Sequence, residues 1–242
     1  MESSPIVLFT DYGHDGPYVG LLHAVIRKAL PQRPIIDLQH DLPSFRPRGA
    51  GLMLAAQLHW LPPASIVVAV VDPGVGTSRQ GLVIRYQGHY LVGPDNGLFA
   101  PFLRDADSIR PIDWKPLDAP ATFHGRDWFT PVAMRIAKDE PFDSHAVAPA
   151  DCVGFGFERD LSEVIYVDHF GNLVTGVSGD SVDRHISIPV GGHVLRHART
   201  FSDVDRGKPF WYVNSLGLVE LAVNQGSASA LLGLEVGDEV AW

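Results

Sequence analysis

Apolar positions follow two rhythms along this chain, and the rhythm changes near residue 140. Ile6-Val7-Leu8-Phe9 is a short unbroken apolar run that ends in Thr10-Asp11-Tyr12-Gly13. That pattern predicts a strand buried on both faces and followed by a loop. Tyr18, Leu21, Leu22, Val25, Ile26 and Ala29 then recur at helical spacing behind Pro17, which suits a first helical turn. Ile35 to Leu38 reads as a second strand and Ala50 to Leu61 as an apolar helix stopped by Pro62-Pro63. Ile66 to Val71 reads as a third buried strand, Leu82 to Arg85 and Tyr90 to Val92 as a hairpin around Gln87-Gly88, and Asp127 to Lys138 as a helix. Strands alternating with helices predict the α/β class, a parallel or mixed sheet covered on both faces as an α/β/α sandwich.

Beyond Glu140 the helical period fades. Pro141 to Gly156 has two prolines, several alanines and no clear period, and reads as a linker. From Glu163 onward short β-like runs alternate with glycines: Val164 to Val167, Leu173 to Val177, His185 to Ile188, Phe210 to Val213 and Leu218 to Val223. These predict a small all-β domain, a barrel. The expected division is an N-terminal α/β domain over 1–148, a linker over 149–160 and a C-terminal β-barrel domain over 161–242.

Composition narrows the partners. Of 242 residues 45% are hydrophobic and 19% charged, enough apolar material for a core. The formal net charge of −9 comes with no basic stripe to neutralise phosphates, so neither nucleic acid nor an anionic membrane surface is an expected partner. Cys152 is the only cysteine, so no intramolecular disulfide can form. With no secretory pattern at the N-terminus and no apolar run near the ~20 residues that span a bilayer, the expected location is the cytoplasm.

Three polar clusters sit at the ends of apolar runs. Asp11 and Asp72 each follow a predicted buried strand, where open α/β sheets place ligand groups. Asp11 can accept both hydroxyls of a ribose, or it can simply close an Asx-turn. In Val71-Asp72-Pro73-Gly74-Val75-Gly76-Thr77-Ser78-Arg79 the glycines and proline enforce a tight loop that can fold Arg79 back onto Asp72. The bland alternative is a surface ion pair of little worth. A phosphate-loop reading fails for want of a Gly-Lys-Ser/Thr ending. Phe123-His124-Gly125-Arg126-Asp127 offers an imidazole before a helix start, a candidate base or a merely hydrogen-bonded ring. In the second half, Asp168-His169-Phe170-Gly171-Asn172 combines an acid, an aromatic face and an amide, which suit a purine or else form a β-turn. Among the 11 histidines no zinc-ligand spacing occurs, and a metal site built from His14, His40 and His124 has no pattern behind it.

Taken together the clusters resemble one family, the S-adenosyl-L-methionine hydrolases (hydroxide adenosyltransferases), relatives of the fluorinase and chlorinase enzymes. The matching segments are FTDYGHDGPYVG at 9–20, VVDPGVGTSR at 70–79, VGPDNGLF at 92–99, FHGRDWFTP at 123–131, YVDHFGNLVTGV at 166–177 and VNSLGLVELAVNQGSA at 213–228. The resemblance implies cleavage of S-adenosyl-L-methionine by water at C5′, giving adenosine and L-methionine, without a cofactor or metal. It implies a homotrimer with active sites at subunit interfaces. Asp72, Arg79 and His124 would be the water-activating triad, and Asp11 would hold the ribose diol. Asp168 would face the methionine ammonium and Ser215 the methionine carboxylate. Phe170 and Asn172 would serve the adenosine end, with Asn224, Ser227 and Ala228 completing the adenine site. Gly16 stands where many relatives carry Asp, and Leu216 replaces a fluorinase-like arginine. A halogenase and a non-catalytic adenosine- or S-adenosyl-L-methionine-binding protein are the competing readings. The intact Asp, Arg, His set argues against the halogenase.

Overall fold

A computed structural model describes residues 4–116 and 120–242. The chain divides into two compact units, Met1–Phe157 and Glu158–Trp242.

The first unit is built on a six-stranded mixed sheet. Its strands are β1 (Ile6–Thr10), β2 (Ile35–Gln39), β3 (Ile66–Val70), β4 (Gly81–Tyr86), β5 (His89–Pro94) and β6 (Ser108–Pro111), in the order β2-β1-β3-β5-β4-β6. β1 pairs in parallel with both β2 and β3, and β3 with β5, while β4 runs antiparallel to β5 and β6. β1 and β3 are buried at every residue, which is why their sequences are continuously apolar rather than alternating. The β4–β5 hairpin closes on Gln87 (φ 48°) and Gly88 (φ 81°), two successive left-handed residues whose twist matches the strands. β6 is short and alternates exposed and buried residues, and sequence pattern alone does not reveal it.

Alternation across β1 and β3 assigns the faces. Ile6, Leu8, Ile66, Val68 and Val70 join Leu22 and Ile26 of α1 (Tyr18–Ala29) and Val132 and Ala133 of α3 (Thr130–Ala137) in one core cluster. The other set, including Val7, Phe9, Val67 and Ala69, is buried as well. α2 spans Pro47–Leu58 instead of 50–61. Pro47 starts it a turn early, because its fixed φ suits the first helical position. Its end tightens into turns in which Trp60 N–H donates to Gln57 and Leu61 N–H to Leu58. A single π-helical turn, Gly125–Phe129, leads into α3. Residues 149–157 pack within this unit: Cys152 is buried, Val153 N–H donates to Asp95 Oδ1 (2.9 Å), and the Arg48 guanidinium lies 4.9 Å from the Phe157 ring centre.

Gly93 on β5 shows how tightly this layer is packed. A Cβ there would lie 2.1 Å from the Ala69 carbonyl oxygen and 3.0 Å from the Phe99 ring. Backbone cannot yield as a flexible side chain would. Gly93→Ala is therefore expected to destabilise the protein by about 1–3 kcal/mol or more, read as a lower urea midpoint at unchanged slope.

The second unit carries β7 (Leu161–Val167), β8 (Leu173–Ser178), β9 (Ser187–Val190), β10 (His193–Arg196), β11 (Pro209–Val213), β12 (Leu218–Val223) and a short α4 (Ala228–Leu232). β11-β12-β8-β7 form an antiparallel sheet, and β10-β9 a separate ladder. Single bridges, His197 to Trp211 and Glu163 to Glu239, add to these ladders, but the pairing does not close into the barrel expected from the sequence. Fully buried Trp211 sits in the core with Leu173, Val219 and Leu221, beside Leu195 of β10 and Ala228 and Leu232 of α4.

Candidate active site

The order β2-β1-β3 makes the gap between β1 and β3 the point where the chain's winding reverses, and the loops leaving such a point open a crevice. Thr10 of β1 and Val70 of β3 are in register, and Asp11 N–H donates to Val70 O (3.3 Å). Asp11 and Asp72 thus emerge from neighbouring strand ends. Both line a cavity of about 400 Å³ that is also walled by Tyr12, Tyr18, Phe45, Phe123 and His124.

The 72–79 loop folds as its composition predicts. Thr77 N–H and hydroxyl both donate to Gly74 O (3.1 and 2.7 Å), Gly76 takes φ +83°, and Arg79 returns to Asp72. Arg79 Nε donates to Asp72 Oδ1 (2.8 Å) and Nη2 to Asp72 Oδ2, a two-pronged contact. The Arg79 and Asp72 side chains are only 10% and 5% exposed, so this pair is not the screened surface contact of the bland alternative. Arg79 Nη2 also lies 2.8 Å from His124 Nδ1. A guanidinium has no lone pair, so Nδ1 accepts. Asp72, Arg79 and His124 therefore form one continuous polar chain.

His124 enters on the residue before the π turn, a backbone irregularity frequent at functional sites. Gly125 is required there: a Cβ would fall 2.1 Å from the Tyr12 hydroxyl. Asp127 does not cap the helix; Arg126 grips its carboxylate at 2.7 and 2.8 Å. The His124 ring stands edge-on to Trp128, with centroids 5.2 Å apart. Its Nε2 lies 3.1 Å from Lys115 Nζ, a neighbour that no sequence motif marks. Burial first, then the Lys115 and Arg79 charges, push His124 down to about 4, so the ring is neutral at pH 7.

Burial is also the main cause that raises Asp11 to about 6, with the nearby Asp72 charge adding to it. Tyr12 is driven strongly upward, by burial and then by Asp11, and keeps its proton. Tyr12, Tyr18 and Phe123 pack together with centroids 5.3–5.8 Å apart. Phe45, 74% exposed, lines the cavity from a left-handed backbone (φ 65°), a conformation costing of order 1–3 kcal/mol. Tyr12 and Tyr18 fall within a motif segment, whereas nothing in the sequence marks Phe45.

His40 and His124 do not share a site with His14 that would suit a metal. His40 is bound at Nδ1 to the Thr10 hydroxyl (2.7 Å) and at Nε2 to Asp37 (3.1 Å), and both His124 nitrogens are engaged as above.

A second cavity, about 560 Å³, lies within the second unit and is lined by Asp168, Phe170, Asn172, Phe201, Tyr212 and Gln225 among others. Asp168 Oδ1 accepts from the N–H groups of Phe170 (2.9 Å) and Asn172 (2.8 Å), and Oδ2 from the Asn172 amide (2.8 Å). The turn reading of this segment therefore holds, and its Asp168, Phe170 and Asn172 also line the cavity. Phe170 is 73% exposed, leaving a ring face free. The remaining candidates stand elsewhere. Ser215 is exposed on a turn, Asn224 Nδ2 donates to Val204 O (2.6 Å), Ser227 Oγ caps α4, and Ala228 is core. Their neighbours Val223, Gln225 and Gly226 border the cavity. Phe201 and Tyr212 are lining residues that sequence reasoning missed, and buried Glu220 accepts from the Tyr212 hydroxyl and the Asn214 amide.

Residues 6–146 match the SAM hydroxide adenosyltransferase N-terminal domain, and residues 162–241 match the C-terminal domain of the same name. The chain belongs to the SAM hydroxide adenosyltransferase family. It is 38% identical to a Salinispora arenicola protein named (R)-S-adenosyl-L-methionine hydrolase, over 99% of this chain and 98% of that one. A Thermus thermophilus protein of the same name is 37% identical, over 96% and 97%. Among solved structures, an uncharacterized conserved protein from Thermotoga maritima superposes with a TM-score of 0.81 at 32% identity, covering 97% of this chain and 98% of that one. In this family member the Asp, Arg and His of the resemblance are the three hydrogen-bonded residues, of which Asp72 and His124 line the first cavity.

Proposed function

We propose that this SAM hydroxide adenosyltransferase family member hydrolyses (R)-S-adenosyl-L-methionine to adenosine and L-methionine. The observation that carries the reading is the Asp72–Arg79–His124 chain, whose Asp72 and His124 line a nucleoside-sized cavity together with Asp11. The sulfonium needs no acid to leave, because its departure turns a cation into a neutral thioether. What it needs is an oxygen nucleophile held in line behind C5′. Water forms the new C5′–O bond, the C5′–S bond breaks with its electron pair on sulfur, and one proton is released. Arg79 supplies positive charge for the oxygen as it loses that proton, and Asp72 fixes the guanidinium. Tyr12, Tyr18, Phe45 and Phe123 make the walls largely aromatic, and a poorly solvating medium favours a transition state in which charge disappears.

In the same reading, Asp11 accepts from both ribose hydroxyls. Asp168, Phe170 and Asn172 serve the methionine and adenosine ends, with main chain at Gln225 and Gly226. The trimer with sites at subunit interfaces and the cytoplasmic location belong to the same proposal. Among the described residues, no helix is long and apolar enough to cross a membrane.

The test is incubation of purified protein with S-adenosyl-L-methionine, followed by chromatography. Adenosine and methionine in equal amounts, undiminished by a strong chelator, are expected. With excess chloride, 5′-chloro-5′-deoxyadenosine would instead identify a halogenase, and tight binding without turnover a non-catalytic binder.

A further inference from the structure

His124 stands between two cationic side chains. Arg79 Nη2 approaches Nδ1 at 2.8 Å, and Lys115 Nζ approaches Nε2 at 3.1 Å. Lys115 is held in place by its surroundings. Ile112 N–H donates to Gly81 O (2.8 Å), and the N–H groups of Asp113 and Trp114 both donate to Asp143 O (2.9 and 3.1 Å). Trp128 Nε1 donates to Trp114 O (2.7 Å), fixing the residue just before the lysine. The Lys115 ammonium lies 5.0 Å from the centre of the Trp128 ring, the ring that also packs on His124. One indole thus anchors the Lys115 backbone, faces its charge and walls the imidazole.

A neutral imidazole offers one lone pair, and a protonated one offers none. Guanidinium and ammonium groups only donate. With Nδ1 accepting from Arg79, Nε2 carries the ring proton and meets the Lys115 ammonium as a charge rather than as a hydrogen-bond partner; a second proton, on Nδ1, would remove the acceptor that Arg79 uses and set a third positive charge between the two cations. The opposing groups are fewer and farther engaged: Asp72 is bound by Arg79, and Asp127 by Arg126. Asp11 and Tyr12 line the same cavity without bonding the ring.

We propose that Lys115 is a positioning residue of this site, which together with Arg79 holds His124 as a neutral hydrogen-bond acceptor rather than a resting acid. The inference rests on the hydrolase reading only for its effect on turnover; the state of the ring is independent of it. His124 then orients Arg79, and the released proton leaves without being stored on the imidazole.

The experiment is a ring-nitrogen NMR titration of the ligand-free full chain, with the His124 signal assigned by its loss in His124→Gln. The unsubstituted protein should keep a neutral His124 ring from pH 8 to well below 6. In Lys115→Met the midpoint should rise by about one pH unit, the effect of removing one nearby solvent-screened charge. Lys115→Arg should keep it low. The acid limb of kcat at saturating substrate, which the Asp11 effect on KM does not set, should move upward with the midpoint in Lys115→Met and return in Lys115→Arg. An unchanged midpoint in Lys115→Met, or an equal rise in Lys115→Arg, overturns the inference, as does an equal loss of activity at every pH. Lys115 is exposed, so Lys115→Met should fold; Lys115→Gln repeats the measurement if it does not. Failure of the unsubstituted protein to release adenosine would sink the hydrolase reading and leave the titration result standing.

Discussion

Asp72→Ala should lower kcat by about 10²–10⁴-fold while KM changes little. Removing the carboxylate breaks both prongs of its contact with Arg79. It leaves an almost buried guanidinium with His124 Nδ1 and the Gln80 carbonyl as its remaining partners, so the cation loses both charge balance and a fixed direction. A nucleophile needs a near-attack position, and a wandering Arg79 cannot hold one. Both Asp72 carboxylate oxygens are already engaged, by Gly74 N–H and Arg79, so affinity should largely persist. Asp72→Asn should be milder, since one amide oxygen can still accept from Gly74 N–H and from Arg79 Nε. Steady-state adenosine release decides: a kcat within threefold of the unsubstituted protein in Asp72→Ala would remove Asp72 from the catalytic machinery.

Asp11→Ala should act on affinity instead, raising KM about 10²-fold with a much smaller change in kcat. Each hydrogen bond from a ribose hydroxyl to a charged acceptor is worth about 1.5–3 kcal/mol, and about 1.4 kcal/mol is one factor of ten. The same residue predicts a pH dependence. Its carboxyl is raised to about 6, chiefly by burial, so it loses its charge on acidification while ordinary surface carboxylates still keep theirs. KM should rise as pH falls through about 6. The stability sign is opposite. A raised carboxyl means that the fold prefers the protonated form: this contribution is fully present below the unfolded value near 3.8 and is lost as pH rises through about 6. Asp11→Asn should therefore raise Tm at pH 7–8 while weakening substrate binding. Flat KM between pH 5 and 8 would contradict the ribose role.

The first unit was largely legible because its buried strands are unbroken apolar runs whose ends carry the chemistry. Glycines and a proline between Asp72 and Arg79 leave the loop few ways to run, and the structure closes it as that composition suggests. His124 was visible only through its motif, since a histidine before a π turn has no periodic signature. Lys115 was invisible: it follows a short edge strand, and its place depends on Trp128, a contact across the fold. In the second unit β10 escaped notice because Val194 is 64% exposed and its run is four residues long. Ser227 had a local signal, a serine and a glycine bracketing five residues, that marks a short helix with its cap. That capping role explains why its hydroxyl is turned to Ala230 N–H.

The phenol of Tyr12 occupies the space that any side chain at position 125 would need. Two sites more than a hundred residues apart in the chain are therefore a single unit of inheritance. A methyl group at 125 would force the tyrosine ring to move, and so change the shape of the cavity that both residues line. The exchange becomes tolerable only alongside a smaller ring at 12, so designers reshaping this chamber for bulkier sulfonium compounds should vary the two positions as a pair.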